Sequence, residues 1–303
     1  MTADGFDAPG RPTVPWSTRW ALDGELWRRA ARWGSTRGPA WFVRASPPVI
    51  GAVACALASE RRRAVARNLK RAVGSRGAVR DTLDVVRTFA TYASCLAETL
   101  GAGSVHDVLP AVIVRGELHV VDACARGAGL VIATAHTAGW EAAGPLVARD
   151  LGLRVMIAES PEPDPAARRI QDEARATHGV LVAHVGEDPL AALPLLRHLR
   201  GGGAVALQID RAPPGVRTRQ VRMFGAPGVV PEGPLRLAAL TGAPIVPIFC
   251  ARIGYRRYVI HVGPSFVLAR AAGDAELDDA AQHLADAMQD FVRAHPTDWF
   301  AFD

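Results

Sequence analysis

The stretch LVIATAHTAGWEAAGP, residues 130–145, decides the fold. Its first six residues are apolar or small, and they stop at His136. Such a run, followed by Gly139 and helix-compatible residues, reads as a buried strand turning into a helix. His136 then stands at the carboxyl end of the strand and Glu141 in the first turn of the helix. In α/β proteins that sheet edge is where ligands bind. On one continuous helix two residues spaced like His136 and Glu141 do not share a face, but a turn at Gly139 lets them converge. The helix dipole favours a carboxylate at that terminus. A carboxylate beside an imidazole fixes its tautomer and makes it a better base, able to take a proton from a hydroxyl or amine. The plainer alternative is a buried histidine bonded to backbone, next to a glutamate on a solvated helix. Spacing alone does not choose between them.

Working outward, strand-like and helix-like segments alternate. Strands are expected at residues 112–114, 118–120, 155–158, 180–185, 204–209, 221–224, 245–251 and 258–262. Helices are expected at 61–73, 79–100, 121–126, 165–177, 189–200, 234–240 and 277–294. Pro165 near a helix start and Gly179 past its end are a start-and-stop pair. The glycines 201–203 read as a helix C-cap turn, and they lack the Gly-Lys-Ser/Thr of a nucleotide-binding loop. The alternation implies an α/β fold with a mixed, mainly parallel sheet flanked by helices, plus an N-terminal helical layer. Residues 1–16 read as a flexible polar lead-in, 17–100 as a helical region suited to membrane contact, and 101–303 as the α/β domain. Residues 17–303 are expected to form one structural unit.

The formal net charge of +5 is carried almost wholly by arginine. This fits a surface meeting phosphate head groups or an acidic carrier protein, and it fits genome composition equally well. The four cysteines are scattered and read as buried thiols in a reducing compartment. The nine histidines show no paired spacing, so no metal site is expected. No signal peptide is evident. The apolar run 47–58 is shorter than the ~20 residues that span a bilayer. Arg44 and the Pro47-Pro48 pair limit its extension upstream, so no spanning helix is expected. Trp27, Trp33, Trp41 and Phe42 lie beside Arg28, Arg29, Arg32 and Arg44, a mixture that suits a membrane interface. A helical layer packed on the α/β domain with solvated arginines explains the same pattern.

The His-x4-Glu box after an apolar strand resembles the His-x4-Asp/Glu box of the lysophospholipid (glycerolipid) acyltransferase superfamily. Its flanks are similar to one branch, the bacterial lipid A biosynthesis lauroyl and myristoyl acyltransferases and the mycobacterial phosphatidylinositol mannoside acyltransferases. The likeness continues through Asp210, Phe224-Gly225, Gly233-Pro234 and Gly242-Ala243-Pro244. It includes RRAVARNLKRAV (62–73) and HPTDWFAF (295–302), and it covers the chain from about residue 61 onward.

The resemblance implies transfer of a fatty acyl group from acyl carrier protein or CoA to a hydroxyl, or an amine, of a lipid or glycolipid. His136 would be the general base and Glu141 its orienting acid. No cofactor beyond the thioester cosubstrate and no nucleic acid is implied. The location implied is peripheral, at the cytoplasmic face of the inner membrane. Asp210 ends a second buried strand and shares the cleft, or it merely caps a turn. Arg175 binds an acceptor head group, braces an acid such as Asp210, or is a solvated helix-end residue. Arg211 opens a basic loop whose Arg217 and Arg219, with Arg222 just beyond, would clamp phosphate or remain solvated. Trp140 and Phe224, with Met223, are candidate walls of an acyl groove, and Trp140 also reads as a core residue. Glu232 does not match the superfamily's Pro-Glu-Gly box in position, so that role is not carried over. Two other classes remain open. One is a thioester hydrolase using the same residues, and the other is a non-catalytic peripheral membrane protein.

Overall fold

The computed structural model describes residues 25–303 apart from 102, 106–108, 141–151, 160–164, 178, 186–188 and 214. Glu141 and the expected lead-in at 1–16 therefore lie outside the described residues. Four helices come first: α1 (Glu25–Arg37), α2 (Ala40–Leu57), α3 (Ser59–Val73) and α4 (Ala78–Leu100). Next are β1 (Ala111–Arg115), α5 (Glu117–Cys124), β2 (Leu130–Thr134), β3 (Val155–Glu159), α6 (Pro165–Ala176), β4 (Leu181–His184), α7 (Leu193–Arg200) and β5 (Ala204–Gln208). A hairpin, β6 (Thr218–Met223) and β7 (Ala226–Pro231), leads to α8 (Gly233–Thr241), β8 (Ile245–Gly254), β9 (Arg257–Val262) and α9 (Asp274–Ala294).

Seven strands form one sheet in the order β1-β9-β8-β2-β5-β3-β4. Every neighbouring pair is parallel except β8 with β9. This is the expected mixed, mainly parallel α/β architecture. Central parallel strands are covered on both faces, which is why β2 is apolar throughout and buried along its length. Val131 and Ala133 face one core layer with Leu235 and Ala238 of α8 and Leu284 and Met288 of α9. Leu130 and Ile132 face the other, with Val120 and Ala123 of α5 and with Val246 and Ile248 of β8.

Three expectations need correction. Residues 118–120 are helical, because Gly116 turns the chain with φ +80° and Val120 and Ala123 then bury one helical face. Residues 226–231 form a strand that Pro227 and Pro231 conceal. It pairs only with β6 in a two-stranded sheet, across a turn in which Phe224 and Gly225 both have positive φ. Finally, Pro47 and Pro48 do not bound a helix; α2 runs through them. An interior proline costs about 3 kcal/mol or more. The buried face of Val43, Pro47, Gly51 and Cys55 offsets that cost. Gly51 lets α2 press against α4, since a Cβ there would lie 2.4 Å from the Phe89 carbonyl oxygen.

Candidate active site at the carboxyl edge of the sheet

Register brings the polar residues together. In the parallel pair β2 and β5, Thr134 stands opposite Gln208. Two residues further along each strand come His136 and Asp210. His136 Nδ1 lies 2.8 Å from Asp210 Oδ1, and the His136 backbone N–H donates to the same oxygen at 3.2 Å. The indole N–H of Trp299 donates to Asp210 Oδ2 at 3.2 Å, and the Arg211 guanidinium stands 3.8 Å from it. The Asp210 side chain is 1% exposed, whereas that of His136 is 29% exposed. Burial alone would push the Asp210 carboxyl up. The imidazole, Arg211 and the indole outweigh it and hold the group ionised well below the usual carboxylate range. With Nδ1 held by the carboxylate, Nε2 is the nitrogen left to exchange a proton.

The turn after His136 is tied down from below. Gly139 has φ +78°, and a Cβ there would lie 2.2 Å from the Tyr258 ring, so only glycine fits. The Tyr258 hydroxyl donates to Glu98, which also accepts from Arg252 at 2.8 Å. Backbone donors of the turn are engaged at three positions. The N–H of Thr137 goes to the Ala135 carbonyl, that of Ala138 to Asp298 and that of Trp140 to Thr137.

Two strands over, the same edge carries a second polar group. Glu159 and His184 are register partners at the ends of β3 and β4. Arg175, buried on α6, donates to Glu159 at 2.7 Å and stands 3.9 Å from Asp172, which lies 2.9 Å from His184 Nε2. Its guanidinium also stacks 5.4 Å above the Trp140 ring. Arg175 thus braces Glu159 rather than Asp210, and it is not a solvated helix end. Glu159, Asp172 and His184 bring possible metal-ligand atoms within 4.8 Å of one another. The Arg175 cation already supplies positive charge to that group. Folding assembles this cluster from separate elements, so no pattern of sequence spacing announces it.

The remaining candidates separate. Trp140 packs against the Leu130–Ile132 face, while Phe224 and buried Met223 belong to the opposite core layer, so one groove wall does not contain all three. Phe224 instead lies 5.5 Å from the Trp299 ring. Arg211 donates to the Phe300 carbonyl at 2.7 Å. Arg219 is tied to Glu232, Asp274 and Asp278, so it is no phosphate clamp. All four cysteines are free thiols, and burial pushes Cys250 up to about 12, far from a ready thiolate nucleophile. Sequence reading missed Trp299, Glu159, Tyr258 and Glu98 as neighbours of the site. Segment 295–302 carried a resemblance, but nothing in its pattern announces a contact with Asp210.

The family model for bacterial lipid A biosynthesis acyltransferases matches residues 37–303. Phosphatidylinositol mannoside acyltransferase of Mycobacterium tuberculosis (strain ATCC 25618 / H37Rv) is 32% identical over 190 residues, covering 62% of this chain and 57% of its own length. The protein of that name from Mycolicibacterium smegmatis (strain ATCC 700084 / mc(2)155) is 31% identical over 185 residues, 60% of this chain and 58% of its own. The chain thus spans less than two thirds of the length of these curated relatives. The crystal structure of the 1-acyl-sn-glycerophosphate (LPA) acyltransferase PlsC from Thermotoga maritima aligns with 78% of this chain and 98% of its own, at TM-score 0.37 and 12% identity. A likeness that distant carries no argument. The match from residue 37 to the C-terminus does: the chain belongs to the bacterial lipid A biosynthesis acyltransferase family.

Proposed function

We propose that this protein moves a fatty acyl group from an acyl thioester, on acyl carrier protein or CoA, to a hydroxyl of a glycolipid. The observation that carries this reading is the His136–Asp210 pair, with Nδ1 bound to a buried carboxylate in a chain of an acyltransferase family. His136 Nε2 takes the proton from the acceptor hydroxyl as its oxygen attacks the thioester carbonyl. The tetrahedral oxyanion collapses, the C–S bond breaks, and the imidazolium returns the proton to the departing thiolate. Asp210 stabilises the imidazolium formed on the way, so the orienting role expected of Glu141 falls to Asp210 in this reading. Glu141 keeps the supporting part that its place in the His-x4-Glu box implies.

The same reading puts the enzyme at a membrane surface, on the cytoplasmic side where thioester donors are available. Helix α2, an 18-residue candidate span with mean hydropathy 1.4, supports surface contact. Its length is about 27 Å at 1.5 Å per residue, a little short of a bilayer core of about 30 Å. Trp41, Val49, Ile50, Val53 and Leu57 are exposed along it, and Arg44 is exposed among them. That combination suits a helix lying in the interface.

The test supplies palmitoyl-CoA or palmitoyl-acyl carrier protein to the full chain, with and without vesicles containing phosphatidylinositol mannosides, and follows lipids by mass spectrometry. Acylated glycolipid that appears only with acceptor is the expected result. Free fatty acid released at the same rate with or without acceptor would make the protein a hydrolase and overturn the reading.

A further inference from the structure

Residues 296–303 form a strap across the site. Thr137 and Trp299 form an antiparallel backbone bridge. The Phe300 N–H donates to the His136 carbonyl at 2.7 Å, and the Ala138 N–H donates to the Asp298 carbonyl at 2.8 Å. Trp299 also donates its indole N–H to Asp210, and Arg211 donates to the Phe300 carbonyl. The outer side of the strap is fastened to the helical layer. Phe300 and Phe302 pack 5.2 and 5.1 Å from Tyr92, Phe302 lies 5.0 Å from Phe89, and Asn68 Nδ2 donates to the carbonyls of Ala301 and Asp303 at 3.0 Å.

We infer that this strap is the positioning element of the active site, with Trp299 as the positioning residue that holds Asp210 against His136. This rests on the proposed role of His136. Asp210 Oδ2 is buried, and without the indole its nearest donor is Arg211 at 3.8 Å, beyond hydrogen-bonding distance. The indole N–H therefore fixes the plane of the carboxylate, so that Oδ1 meets both His136 donors. It also draws part of the negative charge toward Oδ2. Removing it shifts charge onto Oδ1, which favours the imidazolium, and loosens the carboxylate plane.

The test is Trp299→Phe, which keeps a ring against Phe224 and deletes the donor. The Nδ1–H proton that His136 shares with Asp210 is followed by NMR, its signal assigned by its loss in His136→Ala. That signal is expected to move and broaden, because the hydrogen bond to Oδ1 changes once the carboxylate plane is loosened. At neutral pH kcat should fall about tenfold, at the lower end of the 10–100-fold that outer partners of metal-bound histidines are worth. KM and the melting temperature should barely move. Asn68→Ala, which loosens the strap without touching the site, should lower kcat more mildly and leave KM alone. If Trp299→Phe unfolds the chain, this variant decides: wild-type kcat in a folded Asn68→Ala protein overturns the inference. An unchanged Nδ1–H signal with wild-type kcat in folded Trp299→Phe overturns it too. The NMR arm does not depend on turnover. A displaced Nδ1–H signal in a protein that transfers no acyl group would sustain the strap's role and sink the transferase reading alone.

Discussion

Two His–Asp pairs share the carboxyl edge of this sheet, at nearly the same distance: 2.8 Å for His136 with Asp210 and 2.9 Å for His184 with Asp172. Everything around that distance differs. Asp210 is 1% exposed and holds Nδ1, which leaves the outer nitrogen of His136 to meet a substrate. Asp172 is 32% exposed and occupies the outer nitrogen of His184, leaving a buried Nδ1 without a hydrogen-bond partner among the described residues. Asp210 is closed off by Trp299 and the His136 backbone, whereas among the described residues Asp172 Oδ1 has no hydrogen bond and stands 3.9 Å from Arg175. A short His–Asp contact therefore does not make a base. Which ring nitrogen remains, and how firmly the carboxylate is held, decide it.

The largest effect that would break this contrast is on turnover. His136→Ala should lower the transfer rate by about two to four decades, the usual worth of a general base, with the fold intact by circular dichroism. His184→Ala should stay within about twofold of wild type on the same scale. Comparable losses in both variants would make the two pairs equivalent and defeat the distinction.

The second cluster should show its importance in stability instead. Arg175→Met removes the cation from the mostly buried Glu159 and from Asp172. Breaking a fully buried pair costs about 3–5 kcal/mol, and the partial exposure of Glu159 brings the expected loss to about 2–3 kcal/mol. Urea denaturation measures it, and an unchanged midpoint would show that the cluster is not charge-compensated as described.

A smaller effect sharpens the account of the first pair's supports. Burial pushes Asp298 up to about 6, and Arg252 offsets this only in part. Because the folded value lies above the ordinary carboxylate value, the stability that Asp298 contributes is full below about pH 4 and lost as pH rises through about 6. Asp298→Asn removes the titration and keeps an acceptor for the Arg252 N–H. Its melting temperature should gain on wild type between pH 4 and pH 7, by the equivalent of about 1–3 kcal/mol. A constant gap across that range would mean that Asp298 is not strained by ionisation.

Much of this edge was legible before folding was known. The apolar run ending in His136 and the run ending at Asp210 are strands, and in neighbouring parallel strands residues just past the ends meet. The sequence does not state that β2 and β5 are neighbours, so the pairing itself could not be read. Trp299 was harder still. Its indole reaches Asp210 from the far end of the chain, and aromatic residues near a terminus read as core. Pro227 and Pro231 hid β7 because prolines usually argue against a strand, and only a two-stranded sheet with free edges accommodates them. The helix through Pro47 and Pro48 was hidden by local propensity, which the α2–α4 packing at Gly51 overrides.

The central claim is that Asp210 orients His136. The measurement that tests it most directly is the steady-state rate of acyl transfer by Asp210→Asn, taken beside Glu141→Gln under the same donor and acceptor. The amide keeps the size of the carboxylate but loses its charge and reverses the tautomer it favours. The account predicts that kcat falls at least tenfold and further than in Glu141→Gln, with KM and folding little changed. A folded Asp210→Asn protein that transfers acyl groups at the wild-type rate would contradict it.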